Sequence, residues 1–213
     1  MKDVFDEIAA SVAPLVGSRI VHVRSVCKEC EALAKIFSLN AEQTKKLQIA
    51  AMLHDVTKCL YLDKQLVICK RYDIDTNVSC AVLHSRTGAY KAREMFPQYV
   101  DDEVFDAIWC HTTGKENMTL IEKLLYLADY IEPGRTYEDC VLLRQYFYDG
   151  INRLPSLPER LVHLDETLIL SFDMTIRALL NDRKVIDGET VRSRNYILSY
   201  LASDKTAKIG DNK

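Results

Sequence analysis

The stretch Ala50-Ala51-Met52-Leu53-His54-Asp55-Val56-Thr57-Lys58 constrains this chain more than any other. An apolar helix stops abruptly in an imidazole, a carboxylate and an ammonium. Adjacent helical residues point about 100° apart, so His54 and Asp55 aim at one point only when something sits between their faces. A metal ion is the usual reason to place these two groups together at the end of a buried helix. The alternative is a solvated helix terminus, with His54 and Lys58 favourably placed at the negative end of the dipole. The rest of the chain has to decide between them.

The surrounding pattern is helical. Only 7 Gly and 5 Pro occur in 213 residues, too few for a turn-rich β architecture, and they cluster at a handful of breaks. An all-α fold is therefore expected. A short helix over 3–13 ends at Pro14. A long one over 17–38 carries Ile20, Val23, Val26, Cys30, Leu33 and Phe37 on one stripe. Asn40 with Gln43 forms a capping box for the helix that leads to His54. Short helical segments over 64–72 and from Asn77 or Ser79 to Met95 follow. Asp101-Asp102 caps a helix ending at His111, and Thr119 with Glu122 caps the apolar segment 120–132. Helices over 137–149, 159–181 and 189–203 complete the chain, with a frayed tail from Ser203. The expected division is an N-terminal helix (1–16), a helical core (17–150) and C-terminal helices packed on that core (151–213).

A formal net charge of −3 argues against a general binder of nucleic-acid polymers or anionic membranes. No run of about eighteen apolar residues is present to span a membrane. The N-terminal Met-Lys-Asp-Val-Phe-Asp-Glu has acids and no long apolar region, unlike a signal peptide, and seven cysteines then suggest reduced thiols in a cytoplasmic setting. Cys27 and Cys30 form a Cys-x-x-Cys pair that redox or zinc chemistry could use. One-turn spacing on an amphipathic helix, with no second pair, favours two small core or groove residues instead.

Four of the five histidines, His22, His54, His84 and His111, sit at an end or inward edge of an expected helix. Two acids belong with them. Asp55 adjoins His54, and Asp129 stands alone in Leu124-Leu125-Tyr126-Leu127-Ala128-Asp129-Tyr130-Ile131. A carboxylate in such a stripe is costly unless it is paired or binds a metal. A buried arginine partner or an exposed helix edge are the simpler explanations. His163 has no such company and reads as a surface or core histidine. Cations flank the set: Lys58 follows His54 by four residues and shares its face if the helix continues. Arg19 precedes His22 by three residues, Arg135 follows the Pro133-Gly134 break, and Thr112 and Lys115 lie on the loop after His111. Nitrogen and oxygen ligands without thiolates suit iron, manganese, cobalt or zinc and disfavour magnesium.

The order His…His-Asp…His…His…Asp resembles the HD-domain metallophosphohydrolases. His54-Asp55-Val56-Thr57-Lys58, Leu83-His84-Ser85-Arg86-Thr87-Gly88-Ala89-Tyr90, His111-Thr112-Thr113-Gly114-Lys115-Glu116-Asn117 and Ala128-Asp129-Tyr130-Ile131-Glu132-Pro133-Gly134-Arg135 sharpen this further. Together with Asp187-Gly188-Glu189-Thr190 and Arg194-Asn195, they resemble the YqeK-type symmetrical diadenosine tetraphosphatases of that superfamily, over roughly residues 17–200. Ser85 stands where that family often has Gly, and Val56-Thr57 where Tyr-Ala is common.

The resemblance implies an HD-domain helical bundle with a C-terminal helical extension. It implies His22, His54, Asp55 and Asp129 as metal ligands, with His84 and His111 as second-site ligands or phosphate contacts. Iron, one ion or two, is the implied metal, with manganese or cobalt as substitutes. The implied reaction is hydrolysis of diadenosine tetraphosphate to two ADP by metal-bound hydroxide. Asp55, Lys58 and Arg135 are the expected catalytic residues. Arg19, Lys58, His84, His111, Thr112, Lys115 and Arg135 are the expected substrate contacts. A nucleotide is thus the expected partner, and the resemblance allows a homodimer. The alternatives are a broader nucleotidase or phosphodiesterase, a di-iron oxygenase, and a nucleotide sensor without turnover. Tyr61, Tyr90, Trp109 and Tyr137 are aromatic candidates for stacking on a base, with packing as their default role.

Overall fold

The computed structural model describes residues 4–210, excluding the side chains of Cys80 and of residues 204–210. Among these residues the chain forms α-helices and one short 3-10 turn, with no strand. The first helix, α1 (Val4–Val16), runs two residues past Pro14, where it was expected to stop. Ile8, Val12 and Val16 recur every fourth residue and are all buried. That stripe carries the helix through a proline in its last turn. The 3-10 turn Gly17–Arg19 leads into α2 (Ile20–Ile36), which buries Val23, Val26, Cys30 and Leu33 along the expected face.

Capping follows the sequence closely. Helix α3 (Ala41–Leu53) opens with the Asn40–Gln43 box, in which the Gln43 N–H donates to Asn40 Oδ1 at 2.9 Å. Helix α4 (Leu62–Tyr72) begins two residues before the expected 64. Helix α5 (Cys80–Met95) starts after Ser79 rather than Asn77. Asp101 caps α6 (Asp102–Cys110), and Thr119 with Glu122 caps α7 (Leu120–Ile131). Each such cap is worth about 1 kcal/mol. Helix α8 is Glu138–Ile151 and α9 is Leu157–Asn181, opened by a Ser156–Glu159 capping box in the linker. The last helix, α10 (Gly188–Gly210), continues past Ser203, where fraying was expected, and residues 211–213 lie outside the described residues.

Helix α7 is the axis of the bundle. Leu124, Leu125, Tyr126, Leu127, Ala128 and Ile131 are fully buried, and α2, α3, α6, α8 and α9 pack around it. Burying one leucine is worth roughly 1.5–3 kcal/mol, so α7 is fixed in depth by several such residues. Asp129 is thereby carried to the inner end of the bundle. Helices α3 and α6 lie side by side, strapped at their N-terminal ends by Lys46 Nζ, which lies 2.8 Å from Asp101 Oδ2 and 3.1 Å from Glu103 Oε2. Their C-terminal ends consequently meet. On the other side of α7, α8 packs on α9 and α9 on α10. There His163 is a core histidine, stacked on Phe147 and bonded to the Phe147 carbonyl at 3.0 Å. No helix among the described residues is long and apolar enough to cross a membrane.

Candidate metal centre

Two helix ends build the inner wall of the site. Helix α3 stops at Leu53, so His54 is its C-cap, and His111 holds the same position on α6. The last carbonyls of a helix lack intrahelical partners. Each histidine satisfies one of them: Nδ1 of His54 donates to the Ala51 carbonyl at 2.7 Å, and Nδ1 of His111 to that of Ile108 at 2.6 Å. Placing the proton on Nδ1 leaves Nε2 with a bare lone pair aimed into the site. Both rings are buried, 5.0 Å apart between centroids. Burial holds His111 neutral, lowered to about 3, and also lowers His84.

At His22 the Nδ1 partner is instead a side chain from far along the sequence. Its Nδ1 lies 3.1 Å from Glu132 Oε1, and its Nε2 lies 3.0 Å from Asp129 Oδ1 and 3.5 Å from Asp55 Oδ2. Burial disfavours a charged ring here, but Asp129, Asp55 and Glu132 outweigh it and raise His22 to about 9. Glu132 was not singled out from the sequence. Its place three residues after Asp129, a helical neighbour just before a Pro-Gly break, was the available signal.

Asp55 sits at the centre of the cluster and offers its two oxygens to different neighbours. Oδ2 faces His22 and His54, the latter at 3.3 Å, while Oδ1 lies 3.3 Å from His84 Nε2. Burial alone would raise this carboxyl, yet the surrounding histidines hold it well below the usual range. Asp129 is likewise held low, because His22 and Arg135 overcome the cost of its burial. Three groups of ligand atoms each lie within 4.8 Å of one another: His22, His54 and Asp55; His54, His111 and Asp129; and Asp55, His84 and His111. His84 Nε2 is 3.1 Å from His111 Nε2.

The donors fit a transition metal. The Nε2 atoms of His22 and His54 are buried and make no hydrogen bond, although carboxylate oxygens lie close by. Orphaned buried nitrogens are expensive, and a cation between them and the carboxylates would satisfy both.

The cations divide into three at the cluster and one elsewhere. Arg19 pairs with Asp55, at 2.5 Å from Nη2 and 2.7 Å from Nε. Arg135 pairs with Asp129 through Nη2 and donates from Nε to the Asp129 carbonyl at 2.8 Å. Lys58 arrives without the continued helix that would give it the face of His54. A run of tight turns after Leu53, including a Lys58 N–H to Asp55 carbonyl bond of 2.9 Å, brings Nζ to 3.2 Å from His84 Nδ1. Burial pulls its ammonium below the usual lysine range. Lys115 is held by Asp106 and Glu122, each at 2.8 Å, so both must release it before it meets a phosphate. Thr112 is half-buried on the same loop.

The departures from the family pattern are absorbed locally. Thr57 donates to the His84 carbonyl at 2.8 Å and Ser85 to that of Val82 at 2.8 Å, while Val56 is in the core. Gly88 lets α5 approach, since a Cβ there would meet the His54 carbonyl at 3.3 Å. Burial raises both Cys27, to about 11, and Cys30, which disfavours the reactive thiolate form. Tyr90 and Trp109 pack against the core, whereas Tyr61 and Tyr137 are exposed.

Residues 19–134 match the model of the HD domain. The chain belongs to the HD-domain family. It is 29% identical to a Bacillus subtilis protein named bis(5'-nucleosyl)-tetraphosphatase, symmetrical, over 91% of this chain and 97% of that one. The Staphylococcus aureus protein of the same name is 30% identical over 89% and 90%. A crystal structure described as a predicted HD superfamily hydrolase involved in NAD metabolism, from Clostridium acetobutylicum, superposes with a TM-score of 0.75 at 29% identity. It covers 92% of this chain and 97% of that one. In this HD domain the clustered histidine and aspartate side chains come from α2, α5 and α7 and from the ends of α3 and α6.

Proposed function

We propose that this HD-domain protein hydrolyses diadenosine tetraphosphate symmetrically, giving two ADP. The observation that carries this reading is the convergence of six histidine and aspartate side chains with three cationic side chains, in a chain resembling named symmetrical tetraphosphatases over nearly its whole length. A bound transition-metal ion supplies an acidified water and neutralises phosphoryl charge. His22, His54, Asp55 and Asp129 would hold it. The two oxygens of Asp55, facing opposite histidine groups, support a second ion at His84 and His111. Iron is the proposed ion, with manganese or cobalt as substitutes.

The chain's own residues supply the rest. His54 and His111 turn Nε2 into the site because Nδ1 of each is tied to backbone. Arg19 and Arg135 each present a guanidinium fork beside a ligand carboxylate, suited to a non-bridging phosphate oxygen. Lys58 adds a compact charge next to His84. These three cations favour phosphoryl transfer over oxygenation. One water is consumed as the central anhydride P–O bond breaks. Its oxygen remains on one ADP and the bridging oxygen on the other. Among the described side chains six cysteines are free, and five of them are at least partly buried, which suits a reducing, cytoplasmic compartment.

The test is product analysis with the manganese- or iron-loaded protein under anaerobic conditions. Two ADP, without ATP plus AMP, is the expected result. Preference for a mononucleotide or cyclic nucleotide over the tetraphosphate would overturn it, as would a filled metal site without turnover.

A further inference from the structure

The segment that ends α7 carries Asp129, Glu132 and Arg135, and its backbone is held in an unusual way. The Ala128 carbonyl accepts the Glu132 N–H at 3.0 Å, and the Glu132 carbonyl accepts the Arg135 N–H at 3.0 Å. Pro133 has no N–H to give. The Gly134 N–H donates to Glu132 Oε2 at 2.6 Å, and a Cβ at Gly134 would meet that oxygen at 2.8 Å. Three carbonyls of the segment also meet one side chain on the next helix. Arg144 donates from Nε to Ile131 at 2.5 Å, and from Nη2 to Glu132 at 2.6 Å and to Arg135 at 2.7 Å.

We propose that Arg144 is a positioning residue that sets the guanidinium of Arg135, and through it the phosphate-binding geometry of the site. Arg144 touches no ligand of the cluster. It acts by joining both ends of a turn that carries Glu132, the partner of His22, and Arg135, the partner of Asp129. The Asp129 carbonyl takes Arg135 Nε, so the direction of the Arg135 fork depends on where the Arg135 backbone lies relative to α7. Only one backbone hydrogen bond crosses the turn itself. A planar fork is required to reach three carbonyls at once, and a lysine ammonium cannot reproduce it. Without that fork the turn keeps its covalent path and loses its fixed distance from α7.

This role rests on the phosphohydrolase reading above, because it assigns Arg135 to phosphate. The test is a double-mutant cycle on the manganese-loaded protein with Arg135→Met, Arg144→Met and the pair. Two readouts are used: affinity for inorganic tripolyphosphate by calorimetry, and kcat and KM on diadenosine tetraphosphate. Arg144→Met should weaken tripolyphosphate about tenfold, the scale of one charge-assisted hydrogen bond, with manganese content unchanged. The pair should be no weaker than Arg135→Met alone. Losses that add would overturn the proposal, since a general structural defect harms the Arg135→Met background equally. Undiminished binding by Arg144→Met would overturn it too. Should Arg144→Met not fold, Arg144→Lys keeps the charge and stem without the fork and completes the same cycle. Failure of the unaltered protein to bind tripolyphosphate would instead remove the phosphohydrolase reading, and this role with it.

Discussion

His54 and His111 do the same work as His22, yet they are held by different means. Each of the first two closes its own helix and anchors Nδ1 on a carbonyl three residues back. His22 anchors Nδ1 on Glu132, separated from it by 110 positions in the sequence. The inner pair is therefore fixed as soon as α3 and α6 lie together, and no side chain can be removed to loosen it. The outer histidine depends on a buried carboxylate, a Pro-Gly turn and the arginines that hold that turn. Local anchoring gives rigidity, while remote anchoring leaves part of the site adjustable.

The largest effect should come from removing a ligand on either side. His54→Ala and Asp129→Ala are each expected to lose metal and turnover together. Turnover should fall at least about a thousandfold, as for residues that act as a unit. Metal analysis beside kinetics checks this, and full turnover by metal-free protein would break the assignment of both halves. A smaller loss should follow from the remote anchor. Glu132→Gln should weaken metal binding about tenfold to a hundredfold, the range for partners that orient a ligating histidine. Chelator competition measures it. Unchanged affinity would mean that His22 is oriented by its own helix after all, erasing the contrast with His54.

The smallest effect concerns the strap that keeps the inner pair together. Asp101 caps α6 and meets Lys46 of α3. Burial raises its carboxyl, but Lys46 and the Val104 N–H outweigh this and lower it below the ordinary 3.8. A depressed folded pKa stabilises fully above the unfolded value and is lost as pH falls through the folded one. Asp101→Ala should therefore cost about 1 kcal/mol at neutral pH, the value of an N-cap. The difference from the unaltered protein should shrink below pH about 4. Urea melts across pH check it. A constant difference would show that the carboxylate charge contributes nothing to holding α3 against α6.

The same division explains what the sequence disclosed. Caps at Asn40, Asp101 and Thr119 involve neighbours three residues apart, so residue types alone reveal them. The clustering of the six histidine and aspartate residues was legible because an imidazole or carboxylate at the inner edge of an apolar stripe has few other uses. Glu132 and Arg144 were not, since one depends on a partner 110 positions away and the other bonds only to backbone. Lys58 lay between these cases: its place beside the site was readable, but the tight turns that bring it there were not. Lys115, on a polar loop, was the cation whose sequence most suggested a solvated charge, and the fold gives it to Asp106 and Glu122.

The contact between His22 and Glu132 also fixes when the site can come into being. Closing so long a loop costs little more entropy than closing one of half the length, about 0.6 kcal/mol per doubling, yet it requires both ends to exist. A chain emerging from the ribosome carries His22, His54 and Asp55 early and lacks Asp129, Glu132 and Arg135 until more than half its residues have been made. The complete histidine and aspartate cluster is thus withheld from the nascent chain, and any ion that needs all of it must wait until α7 has docked.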